Sequence, residues 1–118
     1  MLIVSPNQMH TITAAIDRAT HKGIPVILFD RKTDSRDYTA FIGADNHKIG
    51  RMMGEYVAEA LHGKGNIVEI EGLLSSSPTI ERHKGFVEAI SKYPGLKLID
   101  SESAGWKQDS ARSVSYSW

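Results

Sequence analysis

The stretch that decides the fold is PVILFDRKTDSRDYTAFIGADN, residues 25–46. Its first apolar run, Val26 to Phe29, ends abruptly at Asp30 and Arg31. A charged loop follows, and a second short apolar run at residues 39–42 ends in a Gly-Ala-Asp-Asn sequence. Turns favour Gly, Asn, Asp and Pro, and the requirements of a turn do not explain an arginine at this position. Polar side chains directly follow both predicted strands, which indicates that the ends of these strands face a ligand.

Apolar runs and helical periodicities alternate on both sides of this stretch. Short apolar runs predict buried strands at residues 2–4, 26–29, 39–42, 66–70 and 96–99. Apolar residues at helical spacing predict helices at residues 9–21, at residues 47–62 and from Pro78 to the Tyr-Pro-Gly stop at residues 93–95. The order β-α-β-β-α-β-α-β predicts an α/β fold, a mainly parallel sheet with helices on both faces.

The composition is that of an ordinary globular protein: 118 residues, 41% hydrophobic and 24% charged. Fourteen acidic residues balance fourteen basic ones, so no net field attracts nucleic acid or anionic lipid. The absence of cysteine excludes disulfides and thiolate metal sites. No apolar run approaches the roughly 18 residues that a membrane span needs.

Candidate binding residues lie where the predicted strands end. Ligands of open parallel α/β sheets bind beyond the carboxyl ends of the strands. Here those ends carry amides, hydroxyls, carboxylates and a guanidinium, a mixture that suits a polyhydroxylated ligand whose hydroxyls both donate and accept. The candidates are Asn7, Asp30, Arg31 and Asp45, together with Arg82 in the helix that follows Pro78.

Each candidate has a plainer alternative. Asp30 and Arg31 are equally explained as a solvated pair that opens a loop. Asp45 and Asn46 fit a helix N-cap better than a ligand contact. Arg82 falls in the first turn of its predicted helix, where positive charge opposes the macrodipole. That placement indicates a purpose, and the alternative is a surface salt bridge.

Nothing in the sequence indicates catalysis. The five histidines (10, 21, 47, 62 and 83) lack metal-ligand spacing and are best interpreted as solvated surface. Phosphate-binding glycine motifs and the Gly-x-Ser-x-Gly motif are absent, and no base accompanies the serines at residues 75–77. We therefore expect a binding protein without a cofactor and without a metal.

Five stretches in order carry a family resemblance: LIVSPNQ, GIPVILFDRK, FIGADNHKIGRMMGEYVAEAL, GNIVEIEG and SPTIERHKGFVEAI. Together they cover about residues 2–110 and resemble the periplasmic-binding-protein-like family of the ribose-binding type. The resemblance implies a type I, two-lobed sugar-binding domain, of which this chain is the middle portion. Residues 1–64 would belong to the first lobe and residues 65–118 would start the second.

The resemblance also assigns roles to three residues. Asp30 and Arg31 would contact the sugar from the first lobe, and Arg82 of the Arg-x-x-Gly-Phe motif from the second. The family's first-lobe sheet has a further strand beside residues 2–4, and this chain lacks it. Residues 2–4 would therefore form an unpaired apolar edge, and we expect a homodimer or higher oligomer. Residues 115–118 do not continue the helical pattern at Ala111 and Val114, as if an element were cut or altered there.

Within that family, the sequence is most similar to sugar-sensing periplasmic domains of hybrid two-component sensor histidine kinases from Bacteroidetes. That similarity implies a periplasmic domain for a small neutral sugar, in a membrane-attached parent, without direct nucleic-acid contact. Alternatives are a solute-binding component of a sugar ABC transporter and the effector domain of a lac-repressor-like regulator. A receiver-like domain is disfavoured because Ser5-Pro6-Asn7 supplies no acidic pair after the first strand. A truncated reading frame without function remains a third possibility.

Overall fold

The computed structural model describes all 118 residues, Met1 to Trp118. Nine elements follow one another: β1 (Leu2–Val4), α1 (Thr13–His21), β2 (Val26–Phe29), β3 (Ala40–Ile42), α2 (Asn46–Ala60), β4 (Lys64–Glu71), α3 (Ser77–Ile90), β5 (Gly95–Ser103) and α4 (Gln108–Ser117). All strand pairs are parallel, which confirms the predicted α/β fold. None of the four helices has the length and apolar composition that a membrane crossing needs.

The chain divides into two compact units. The first comprises residues 1–44 with 75–78, and the second comprises residues 45–74 with 79–118. This division differs from the predicted boundary after residue 64, because α2 belongs to the second unit rather than the first. The assignment of residues 1–64 and 65–118 to two lobes of a larger domain stays a prediction.

The first unit is built around β2, the central strand of the order β1-β2-β3. Val26 and Leu28 on β2 are fully buried and form a core with Ile16 and Ala19 of α1. The strand β1 was predicted to be buried, but it lies at the edge of its sheet and its Ile3 is 64% exposed. Helix α1 begins four residues later than predicted, without a side-chain cap.

The second unit contains the two-stranded sheet β4-β5, whose register runs from Lys64 opposite Gly95 to Glu71 opposite Ser103. Its core consists of Ala58, Ile67, Ile90 and Leu96, contributed by α2, β4, α3 and β5. The strands thus form two sheets, three strands in the first unit and two in the second, as expected for parts of two lobes. Both predicted strands of this unit are longer than expected.

Helices α2 and α3 of the second unit touch backbone to backbone. A Cβ at Gly50 of α2 would lie 1.9 Å from the carbonyl oxygen of Arg82. A Cβ at Gly85 of α3 would lie 2.1 Å from the carbonyl oxygen of His47. Neither position has room for any side chain, and this close contact is why α2 belongs with the second unit.

The chain ends in a continuous helix. The prediction that residues 115–118 do not continue a helix is wrong, since α4 extends to Ser117. The hydroxyls of Ser113, Ser115 and Ser117 donate to backbone carbonyls three or four residues earlier. The serine hydroxyls thus find acceptors within the helix, although α4 buries no residue.

We expect Gly50→Ala to destabilise the protein by about 1–3 kcal/mol, because the added methyl group must push α3 away. An exposed helical glycine would instead gain roughly 1 kcal/mol on the same change. Chemical denaturation measures the difference, with the exposed α2 residue Glu59→Ala as a control close to wild type. A stabilised Gly50→Ala variant would contradict the close helix contact.

Candidate functional site

In the first unit, the structure brings two predicted residues together. Nη1 of Arg31 donates to both the backbone oxygen and Oδ1 of Asn7, each at 3.0 Å. Asn7 follows β1 and Arg31 follows β2, so parallel strand order places both at the same sheet end. Arg31 is half-buried and held by a neighbouring strand end, rather than freely solvated as in the plainer interpretation.

Asp30, between the end of β2 and Arg31, has an uncommon backbone conformation. Its φ of 64° is in the left-handed region, which non-glycine residues seldom adopt. The backbone N–H of Asp30 donates to the carbonyl oxygen of Ile42 at 2.8 Å, which holds the residue against β3. The exposed carboxylate makes no ion pair, so its oxygens are available to a ligand. Such strained residues concentrate at functional sites.

The loop after Arg31 is anchored on both sides. The backbone N–H of Lys32 donates to Oγ of Ser77 at 2.7 Å. The carboxylate of Asp34 bonds Nδ1 of His10 at 2.6 Å and accepts from the hydroxyl of Thr13. These two hydrogen bonds, that from Thr13 first, hold the pKa of Asp34 below its usual range. The loop that carries Arg31 is thus fixed to α1 and to the start of α3.

In the second unit, Arg82 is held by two groups. Its Nε donates to Oδ1 of the buried Asn46 at 2.9 Å, and its guanidinium carbon lies 5.9 Å from the ring centre of Trp106. Arg82 makes no ion pair, so the alternative of a surface salt bridge is wrong. It is also the sixth residue of α3, beyond the first turn, and the macrodipole argument does not apply.

Trp106 was missed by the sequence analysis. It follows β5 with a φ of 65°, is 47% exposed, and lies so close to Gly72 that a Cβ there would be 2.3 Å from its ring. With Arg82 it lines a cavity of about 130 Å³. Its position after a strand, preceded by Gly105, was the signal available in the sequence.

Asp45 acts as the N-cap of α2. Its Oδ1 accepts from the backbone N–H of Lys48 at 3.0 Å, as the plainer interpretation predicted. A sugar contact through the remaining oxygen stays a prediction. Asn46 was singled out only as a cap alternative, whereas the structure makes it the hydrogen-bond partner of Arg82.

The histidines are less uniformly solvated than predicted. His10 and His47 pair with Asp34 and Glu88, and both imidazoles are well exposed. His83 is different because it contacts two carboxylates, those of Glu69 and Glu71, which are both half-buried. This cluster was not visible in the sequence because β4 and α3 contribute its members separately.

Comparison with known proteins identifies the family. Residues 1–117 match the family model described as periplasmic binding protein domain. The chain belongs to this family. It is 32% identical over 117 residues to a xylitol-binding protein of Mycolicibacterium smegmatis, covering 99% of this chain and 34% of that protein. It is 37% identical over 95 residues to a galactofuranose-binding protein of Escherichia coli K12, covering 77% of this chain and 30% of that protein.

Solved structures show the same relationship. The fructose-binding periplasmic domain of a hybrid two-component system superimposes with a TM-score of 0.95 at 52% identity, over 99% of this chain and 39% of that one. A Caulobacter myo-inositol-binding protein superimposes with a TM-score of 0.91 at 28% identity, over 98% of this chain and 40% of that one. The chain thus spans about a third of the length of the relatives it matches. The fold is that of a partial type I periplasmic binding domain, as predicted.

We expect Thr13→Val to raise the pKa of Asp34 toward its usual value, since the strongest stabilising hydrogen bond is lost. In the native protein the lowered pKa means that the carboxylate stabilises the fold above the unfolded pKa. This contribution is lost as the pH falls through the lower folded value. An NMR titration of the Asp34 carboxyl carbon measures the shift. Thr20→Val on the same helix, whose hydroxyl bonds only backbone, is the matched control; equal titration in both variants would contradict the assignment.

Proposed function

We propose that this chain is part of a periplasmic domain that binds a small neutral sugar and performs no catalysis. The observation that carries the proposal is Arg82, a guanidinium without a carboxylate partner, oriented by Asn46 and Trp106 at the carboxyl end of the β4-β5 sheet. The relatives described above are named for a sugar or a polyol that they bind, which supports the ligand class.

The free donors of Arg82 fit a sugar. An arginine has five N–H donors, and only Nε is used toward Asn46. The two terminal nitrogens can therefore donate to ligand hydroxyls, with the added strength of a charged donor. The partly exposed ring of Trp106 beside them offers an apolar surface for the C–H groups of a sugar ring. Polar groups at fixed positions beside an aromatic wall are typical of small-molecule sites.

The first unit offers a complementary set. Asp30 presents an unpaired carboxylate, which accepts hydrogen bonds from hydroxyls, and Arg31 has donors beyond the one used toward Asn7. We propose that Asn7, Asp30, Arg31, Asp45 and Arg82 contact the sugar in the complete domain. A set that combines carboxylate acceptors with guanidinium donors favours a neutral polyol over an anion or a cation.

We further propose that the parent protein is a membrane-attached hybrid two-component sensor, with kinase activity outside this chain. Support comes from the 52% identity to the periplasmic domain of such a system. The second candidate, a solute-binding component of a sugar transporter, is supported by relatives named as a galactofuranose-binding protein and a ribose import binding protein. Sugar-dependent phosphorylation of the parent in membrane vesicles would favour the sensor, and sugar uptake that requires the parent would favour the transporter.

Calorimetry tests the binding function. The domain extended to full length is titrated with a panel of neutral monosaccharides and polyols, and with amino acids and nucleotides for comparison. We expect saturable binding of at least one neutral sugar. Binding confined to amino acids or nucleotides would rule out the proposal.

We expect Arg82→Ala in the full-length domain to weaken sugar binding by about 2 kcal/mol or more, because a charged hydrogen-bond donor is lost. Circular dichroism should show an unchanged fold, since Arg82 is exposed and not part of either core. Arg51→Ala is the matched control, because Arg51 is an exposed arginine paired only with Glu55 on α2. If both variants bind sugar like the wild type, Arg82 is a surface residue.

We also expect the 118-residue chain to form dimers or larger oligomers. Leu2 and Ile3 lie on the edge strand β1 and are 44% and 64% exposed, and an apolar edge of this kind recruits another chain. Light scattering at micromolar concentration measures the mass. Ile3→Lys should shift the chain toward monomer, since charge on an edge opposes pairing. A well-folded wild-type monomer would contradict this expectation.

A further inference from the structure

We propose that Glu69, Glu71 and His83 bind a divalent transition-metal ion such as zinc. The three residues offer two carboxylate oxygens and one imidazole nitrogen, and these ligand atoms all lie within 4.8 Å of one another. None of the three is among the proposed sugar contacts, although they line the same cavity as Arg82, and zinc binding by them does not require that a sugar binds.

The spacing of the three ligand atoms is close to that of a metal site. Nδ1 of His83 lies 2.7 Å from Oε2 of Glu69 and 3.9 Å from Oε2 of Glu71. Ligand atoms about 2.0–2.2 Å from a zinc ion lie roughly 3–3.5 Å from one another. The two distances bracket this range and the third pair lies within 4.8 Å, so side-chain shifts of about an ångström would seat the ion.

A neighbouring hydroxyl already orients both carboxylates. Oγ of Ser101 on β5 donates to Oε1 of Glu71 at 2.6 Å and lies 3.2 Å from Oε2 of Glu69. Because Ser101 takes Oε1 of Glu71, the other oxygen of that carboxylate, Oε2, is turned toward His83. Hydrogen bonds that fix the ligating side chains in this way are typical of metal sites in proteins.

The charge balance of the cluster favours a cation. The side chains of Glu69 and Glu71 are only 18% and 14% exposed, and their only ion pairs are with His83. Even a protonated imidazole leaves two carboxylates with a single positive charge. The nearby Arg82 is bonded to Asn46 and not to either glutamate. A divalent ion would neutralise both carboxylates, which are costly to keep charged when they are half-buried.

The type of ligand limits the type of ion. Imidazole with two carboxylates suits zinc and other first-row transition metals, whereas calcium and magnesium prefer oxygen ligands alone. The three residues line the same cavity of about 130 Å³ as Arg82 and Trp106, so the ion would have room for water or a further ligand. With three protein ligands the coordination sphere would remain open on the cavity side.

Zinc binding by the purified chain tests the proposal directly. Equilibrium dialysis against zinc chloride followed by elemental analysis should give one zinc ion for each chain. His83→Ala should lower the zinc affinity at least tenfold, and Glu71→Gln, which keeps the side-chain shape, should do the same. His47→Ala is the matched control, because His47 pairs with one exposed carboxylate only and its loss should leave zinc affinity unchanged.

Three results would overturn the site. The first is that the chain binds no zinc, and the second is that His83→Ala and Glu71→Gln bind zinc as tightly as the wild type. The third is a ratio of one zinc ion to two chains, which would place the metal between two copies of the chain. Circular dichroism of each variant without metal shows that the fold is intact, so that a lost affinity reports the ligand and not unfolding.

Discussion

The close packing of α2 on α3, at Gly50 against Arg82 and at Gly85 against His47, is the constraint on which the second unit depends. Each glycine lies so close to a backbone carbonyl of the other helix that a methyl group has no room. Such contact lets the first residue of α2, Asn46, reach Nε of Arg82. A larger distance between the two helices would break the hydrogen bond between the buried amide of Asn46 and the guanidinium of Arg82. The site therefore follows from helix packing and not from a flexible loop.

A second close approach completes the surroundings of Arg82. The ring of Trp106 lies against the backbone of Gly72, directly after β4, and its own backbone is in the left-handed region. The guanidinium then has an amide on one side and an aromatic ring on the other. Asn7 and Arg31 show the same logic in the first unit, since neighbouring strand ends are joined by side-chain bonds. In both units, helices and strand ends fix the positions of the side chains that we propose to contact the ligand.

Much of the fold follows from local pattern. Residues 26–29 were predicted as a strand with its observed bounds, and the broad apolar stripe of α2 predicted that helix to within two residues of its ends. Asn7, Asp30 and Arg31 were predicted as candidates because parallel strands end at the same edge, and the structure does place Asn7 beside Arg31. What local pattern does not report is non-local packing. The membership of α2 in the second unit depends on glycines of two separate helices, and no periodicity reports that contact.

The same distinction explains the missed residues. Trp106 and Asn46 gain their roles only through Arg82, which lies 24 and 36 positions away in the chain. Glu69 and Glu71 alternate on β4 like ordinary strand residues, and His83 has no neighbour at metal-ligand spacing. Only the packing of α3 on β4 brings these three together. The serine-rich tail misled the prediction for a simpler reason, since serine hydroxyls can bond the helix backbone that they usually weaken.

A double-mutant cycle on sugar affinity tests the central claim, that α2 orients Arg82 through Asn46. The full-length domain carries Asn46→Ala, Arg82→Ala or both, and calorimetry gives the affinity of each for the preferred sugar. Asn46→Ala should weaken binding in the wild-type background and have no further effect once Arg82 is alanine, because it acts only through that guanidinium. Fully additive losses would contradict the account, since they would mean that Asn46 and Arg82 affect the sugar independently.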